Sequence, residues 1–168
     1  MKKILLILIL FFICTNVKAG CDDPLGDSVD YTNCRFSDGQ DLKGSFLPNS
    51  NLSFAGFIQV NFDKSIMMNS ILAYGSFSES SFVRANLYES NLQGANLEKS
   101  NLTSANLTRA KFIGASLIEA NFTNANLYEA DFTSANILNA VFEGANINNA
   151  IWTDGEKCGS NSIGVCKK

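Results

Sequence analysis

Histidine is absent from all 168 residues, proline occurs twice and tryptophan once. Without imidazole the chain lacks the commonest general base and the commonest neutral metal ligand. That removes most hydrolase triads and histidine-bearing zinc sites. There is no Gly-rich phosphate loop and no isolated cysteine nucleophile. Asp22, Asp23, Asp27 and Asp30 lie close in sequence but lack the ordered spacing of a calcium loop. The expectation is a protein with no catalytic residues, no metal site and no cofactor. Long apolar runs are also missing. The longest, Ile4–Ile13, is too short to cross about 30 Å of hydrocarbon as a helix.

That run nevertheless has a role. Met1-Lys2-Lys3 precedes it, and a short polar stretch ending Val17-Lys18-Ala19 follows. A positive start, an apolar centre and small residues at a cleavage point make residues 1–19 a secretory signal peptide, excluded from the fold. No membrane span remains after its removal. Ala19-Gly20-Cys21 also resembles the end of a lipobox, which makes a lipoprotein anchored through Cys21 the minor alternative; Lys18 stands where that motif prefers an apolar residue. Loss of Lys2, Lys3 and Lys18 leaves 10 basic against 16 acidic residues, a net charge of −6. Nucleic-acid binding, which needs clustered Lys and Arg, is not expected.

Cys14 leaves with the signal. Cys21, Cys34, Cys158 and Cys166 remain, an even number in an exported chain, grouped at its two ends. Three connectivities are possible, and local pairing, Cys21–Cys34 with Cys158–Cys166, is favoured.

Between those ends a large apolar residue returns every fifth position without one insertion, from Leu42 to Trp152, 23 times. Such self-similarity settles the architecture before any propensity does. On an α-helix a step of five advances about 140° beyond a full turn, so the residues spiral instead of forming a stripe. On a flat strand odd spacing sends successive side chains to opposite faces. Burying all of them requires the chain to change direction once per repeat, so that each points to one axis. The residue two places earlier is small, and from Ala110 to Ala150 it is always alanine.

The repeat, as in Ala85-Asn86-Leu87-Tyr88-Glu89, resembles the pentapeptide-repeat family, A(D/N)LXX. The resemblance implies a right-handed quadrilateral β-helix, an all-β solenoid of about six coils with four repeats each. It places an N-terminal cap at 20–40, the β-helix at 41–153 and a C-terminal cap at 154–168. Both ends resemble the caps of exported members, pinned by the disulfides, with Trp152 closing the core. Early repeats depart from the pattern: Phe46, Ile66 and Ile71 replace Asn or Asp, and Val60 replaces the small residue. A less regular path is expected there.

If four repeats make a coil, residues 20 apart are neighbours. Glu79, Lys99 and Glu119 form one outward column and Glu89, Arg109 and Glu129 another, both alternating in sign. The asparagines, Asn86 and Asn91 among them, are expected to bond nearby backbone at the corners. Phe46, Phe54, Ile66, Met68, Ile71, Tyr74 and Tyr88 occupy outward positions, a candidate binding patch or homodimer face. The functional expectation is an exported, non-enzymatic structural or protein-binding module, periplasmic or extracellular, whose partner is an unknown protein or envelope component. The family implies one alternative, a DNA mimic acting on a type II topoisomerase, which needs a uniformly negative flank. Lys99 and Arg109 interrupt it here.

Overall fold

In the computed structural model, residues 21–168 are described. Residues twenty apart pair in parallel, from Asp41↔Asn61 through Asp131↔Ile151. The fold is a right-handed quadrilateral β-helix, with no α-helix among the described residues. Each side is a single bridge with three ladder bonds. On one side Ile71 donates its N–H to Ser50 O (2.8 Å), while Leu52 and Phe54 donate to Ile71 O (2.7 Å) and Ala73 O (3.0 Å). These bonds satisfy the backbone along the rod, which is the condition for burying so short a strand.

Each corner is a four-residue turn. Its N–H···O bond returns to the central residue, as from Ala55 to Leu52 O (3.2 Å). Its third residue lies in the left-handed region, for example Asn49 (φ 55), Phe54 (φ 59) and Lys64 (φ 59). Positive φ at that place is the mark of a type II turn. The asparagine just before each central residue therefore sits on the flat side, not at the left-handed corner. Its Oδ1 accepts the N–H two residues on, as in Asn91 to Gln93 (3.0 Å) and Asn101 to Thr103 (3.1 Å). The asparagines hold the chain's approach to the corner; the residue three places later bends it.

The core is the axis itself. Every central residue from Leu47 to Phe132 is 0% exposed. At about 1.5–3 kcal/mol for each fully buried side chain, this stack is the main favourable term. Phenylalanines twenty apart lie face to face: Phe57–Phe77 (5.4 Å), Phe62–Phe82 (5.1 Å), Phe112–Phe132 (5.0 Å) and Phe122–Phe142 (5.0 Å). Trp152 packs on Phe132 (5.3 Å) and Phe142 (5.2 Å).

The expected irregularity of the early coils is overturned. Bridges and turns run unbroken through Phe46, Val60, Ile66 and Ile71. The reason is positional. Phe46, Ile66 and Ile71 are outward and meet no neighbour that forbids their size, while Val60 is inward and fully buried. The one register change lies further upstream. Asp30↔Asn51 and Arg35↔Gly56 are 21 apart, so a residue is inserted before Asp41. Tyr31 and Phe36 already occupy central positions: Tyr31 is fully buried and Phe36 stacks on Phe57 at 4.3 Å.

The two ends are closed by Cys21–Cys34 and Cys158–Cys166. At the first, the Tyr31 hydroxyl donates to Asp23 O and Pro24 O (2.8 and 2.9 Å). Burial, and then the charge of Asp23, raise the pKa of this phenol. At the second, residues 156–164 fold back antiparallel, pairing Ile151↔Lys157 and Asn146↔Ile163. Residues 1–19, where the signal peptide is expected, lie outside the described residues.

Candidate functional site

Asn, Ser and Thr are the commonest residues at the outward positions of this rod, each able to satisfy itself on the adjacent backbone. Against that background a belt near the N-terminal end stands out. Phe46 and Ile66 lie one above the other on one side and Ile71 on the next, with Phe54 and Tyr74 at the corner beyond. All five are exposed, Phe54 by 57% and Tyr74 by 52%. The rings of Phe54 and Tyr74 stack at 5.2 Å, and Tyr74 extends over Gly94, where an added Cβ would stand 2.6 Å from the ring. Gln93 Nε2 donates to the Tyr74 hydroxyl (3.1 Å). The N-terminal cap stacks on the end of the rod and leaves these side chains open.

Phe54 and Tyr74 carry a further signature. Both sit at the left-handed corner, φ 59 and 58. Bulky residues are disfavoured there, where glycine or asparagine fits without strain. Two adjacent coils hold aromatic rings outward at a corner that other repeats fill with glycine, asparagine, serine or charged residues. Clefts flank the belt on two sides. One of about 340 Å³ is lined by Ser28, Val29, Asp30, Asn49, Asn51 and Ile71. The other, about 330 Å³, includes Asn33, Arg35, Asp38, Phe54 and Ile58.

Two members of the sequence-derived patch stand apart. Met68 and Tyr88 are only half-buried at their corners. The Tyr88 hydroxyl donates to Glu89 Oε1 (2.7 Å) and accepts from Arg109 (3.3 Å), so it belongs to the charge column and not to the apolar belt.

The two charge columns differ. Arg109 bridges Glu89 (3.1 Å) and Glu129 (2.8 Å). The Tyr88 hydroxyl and then Arg109 lower the Glu89 pKa; Arg109 and then Tyr128 lower that of Glu129. Lys99 makes no such ion pair with Glu79 or Glu119; instead Gln59 Nε2 donates to Glu79 (2.9 Å). The shorter reach is physical: guanidinium offers several donors in a fixed fork and can serve two carboxylates at once, whereas one ammonium is a mobile point charge. Among the described residues no group of three or more Cys, Asp or Glu is placed to hold a metal ion, and no helix is long and apolar enough to cross a membrane.

Comparison with known proteins supports the geometry. A family model described as pentapeptide repeats, in eight copies, matches residues 80–117 and 115–151, a little under half of the chain. No curated protein matches the sequence significantly. Among solved structures, the chain is similar to a trypsin-treated variant of QnrB1, a plasmid-mediated fluoroquinolone resistance protein. That match has 22% identity and a TM-score of 0.66, covering 71% of this chain and 60% of QnrB1. The chain thus spans less than two thirds of that relative's length. Rfr23, a pentapeptide repeat protein from the cyanobacterium Cyanothece 51142, is 27% identical over 73% of this chain and 90% of its own. Its TM-score of 0.37 is too low to bear on the fold. The unbroken five-residue period, the twenty-residue coil and the matching family model lead to one assignment: residues 80–151 are pentapeptide repeats, and the solenoid as a whole has the pentapeptide-repeat fold.

Proposed function

We propose that the chain is an exported, non-enzymatic pentapeptide-repeat protein that serves as a rigid binding module at the cell envelope and engages its partner through the belt of Phe46, Ile66, Ile71, Phe54 and Tyr74. The observation that carries this reading is the pair of exposed aromatic residues held in left-handed backbone, 57% and 52% exposed and stacked on each other. A group of exposed apolar side chains on neighbouring sides of one end is the ordinary mark of a protein contact. Disulfides at both ends fit an oxidising compartment. The DNA-mimic alternative is disfavoured by Arg109, which neutralises the middle of its acidic column.

The test compares the wild-type protein with Phe54→Ser/Tyr74→Ser, both immobilised and exposed to the same envelope extract. A defined partner retained by the wild type and lost by the double variant, with unchanged melting, supports the belt. Equal retention by both removes it. N-terminal sequencing of the exported protein, expected to begin at Gly20, tests the export half of the reading independently.

A further inference from the structure

The left-handed corner that carries Phe54 and Tyr74 forms one column along the rod: Asn33 (φ 62), Phe54 (φ 59), Tyr74 (φ 58) and Gly94 (φ 62). Asn33 is tied to the coil of Phe54 by its N–H, which donates to Ser53 O (3.0 Å). Tyr74 covers Gly94, and Phe54 covers Tyr74 with the two rings 12° from parallel. One face of Phe54 is therefore occupied. The other turns toward the N-terminal cap, where Asn33 supplies no ring to continue the stack.

That face borders the cleft of about 330 Å³ between the cap and the side that follows the corner. Gly56 and Ser76 line it from the flat side, Ile58 stands beyond them, and Arg35 and Asp38 reach it from the cap. The fold does not demand glycine at residue 56. Its φ lies outside the left-handed region, and a Cβ there would meet only Arg35 Cγ, at an ordinary 3.5 Å. Yet among the 23 outward positions that precede a central residue, from Asp41 to Ile151, Gly56 is the one glycine. Glycine in a strand often marks a bulge or a place where another molecule approaches closely. There is no bulge in this coil, since Gly56 and Ser76 pair twenty apart. Arg35 and Asp38 both lack an ion pair among the described residues, so they do not neutralise each other across the cleft.

We infer that this cleft receives an aromatic side chain of the partner protein, an indole or a phenol, as a third ring on the stack of Phe54 and Tyr74. The inference rests on the belt as the partner's contact and names the group that anchors it. Charge complementarity selects the class. An aromatic ring is electron-rich on its face and electron-poor at its edge. Its face suits both Phe54 and the guanidinium of Arg35, and an N–H or O–H at its edge can donate to the Asp38 carboxylate. Such a ring meets both charges without carrying one. A carboxylate would face Asp38, an ammonium would face Arg35, and an aliphatic side chain would answer neither. The space fits a single group, since about 330 Å³ lies at the low end of the roughly 300–1,000 Å³ of ligand pockets. An aromatic anchor seated in a pocket is also the usual centre of a protein contact.

The test uses the exported full chain with its disulfides intact, isotope-labelled for NMR. The probe is N-acetyltryptophanamide, with N-acetylleucinamide as the control without a ring. The tryptophan amide is expected to shift the Gly56 N–H and the Arg35 Nε–H and to show contacts with the Phe54 ring. The leucine amide at the same concentration should leave all three unchanged. Gly56→Leu fills the cleft and should abolish the shifts. Arg35→Met keeps the apolar stem without the cation and should weaken binding about two- to five-fold, the loss of an exposed cation–π contact. Both residues lie outside the core, and thermal melting checks that each variant keeps the fold. No shifts with the tryptophan amide, equal shifts with the leucine amide, or binding unchanged in either variant overturns the proposal. Partner retention from envelope extract separates the cleft from the belt. Loss of the partner in both Phe54→Ser/Tyr74→Ser and Gly56→Leu agrees with the proposal; loss in the first with full retention in the second keeps the belt and removes the cleft. A wild-type dimer that Gly56→Leu dissociates makes the occupant a second copy and overturns it as well.

Discussion

Gly75 occupies the small inward position that alanine fills at Ala55, Ala95, Ala115 and Ala135 in the same column. Glycine is required there by its neighbour. A Cβ at residue 75 would stand 2.5 Å from Phe77 Cε2, 3.0 Å from Phe77 Cζ and 3.2 Å from the Ala55 carbonyl oxygen. The Phe77 ring is held between Phe57 at 5.4 Å and Phe82 at 5.9 Å, so it has little room to retreat. Gly75→Ala adds one methyl group to a filled core, which typically costs about 1–3 kcal/mol. For a chain of this size that lowers the melting temperature by roughly 3–10 °C. A smaller side chain at residue 77 should relieve the clash. In the next coils Leu97 and Leu117 replace the ring above an alanine, so Gly75→Ala/Phe77→Leu should recover part of the loss. The two changes should couple in a double-mutant cycle by more than about 0.5 kcal/mol. Thermal melts of the four proteins at one pH decide it. A Gly75→Ala protein as stable as the wild type, or strict additivity with Phe77→Leu, refutes the packing argument.

Other outcomes follow from single contacts. Reducing Cys158–Cys166, a separation of eight residues, should destabilise the protein by about 2–3 kcal/mol and increase hydrogen exchange in residues 146–164 before the central coils, measured by mass spectrometry. Tyr31→Phe removes the donor to Asp23 O and Pro24 O and should cost about 1 kcal/mol, read in chemical denaturation, with the loss of protection confined to the N-terminal cap. Glu89 and Glu129 have depressed pKa values, so their ionised forms favour the folded state at pH above the ordinary carboxylate range, and that contribution disappears as pH falls through their folded values. The stability difference between wild type and Arg109→Gln should therefore shrink on acidification and at high salt, and carboxyl NMR titration should show both glutamates moving up in the variant. A supercoiling assay with the purified exported protein should show no inhibition of gyrase, because Arg109 breaks the acidic column.

Much of this architecture was legible because a five-residue period has few physical solutions. It locates Leu47, Leu52 and Phe57 on the axis and sends Phe54 and Tyr74 outward with no structural information. Cysteine grouping likewise pointed to local disulfides, because each pair lies within one end. Other features depend on geometry that residue identity conceals. The left-handed corner falls on Asn49, Phe54, Lys64 and Glu79 alike, so no residue type announces it. Phe46, Ile66 and Ile71 suggested a disturbed path, yet outward positions tolerate any side chain that solvent or a neighbour can accommodate. Tyr88 was grouped with the apolar belt by hydropathy, whereas its hydroxyl is committed to Glu89 and Arg109.

The central claim is that twenty residues make one coil and that the belt lies on its outside, with Phe54 directly over Tyr74. Phe54→Cys/Tyr74→Cys tests it in one protein. Adjacent coils set such residues about 4.8 Å apart, within the Cα range of a disulfide. Mild oxidation should close a new 54–74 bond, identified by peptide mapping. After selective reduction, both thiols should react with a bulky reagent while the protein remains folded. Failure to form the bond would contradict the coil, and unreactive thiols in the folded protein would contradict the exposed belt.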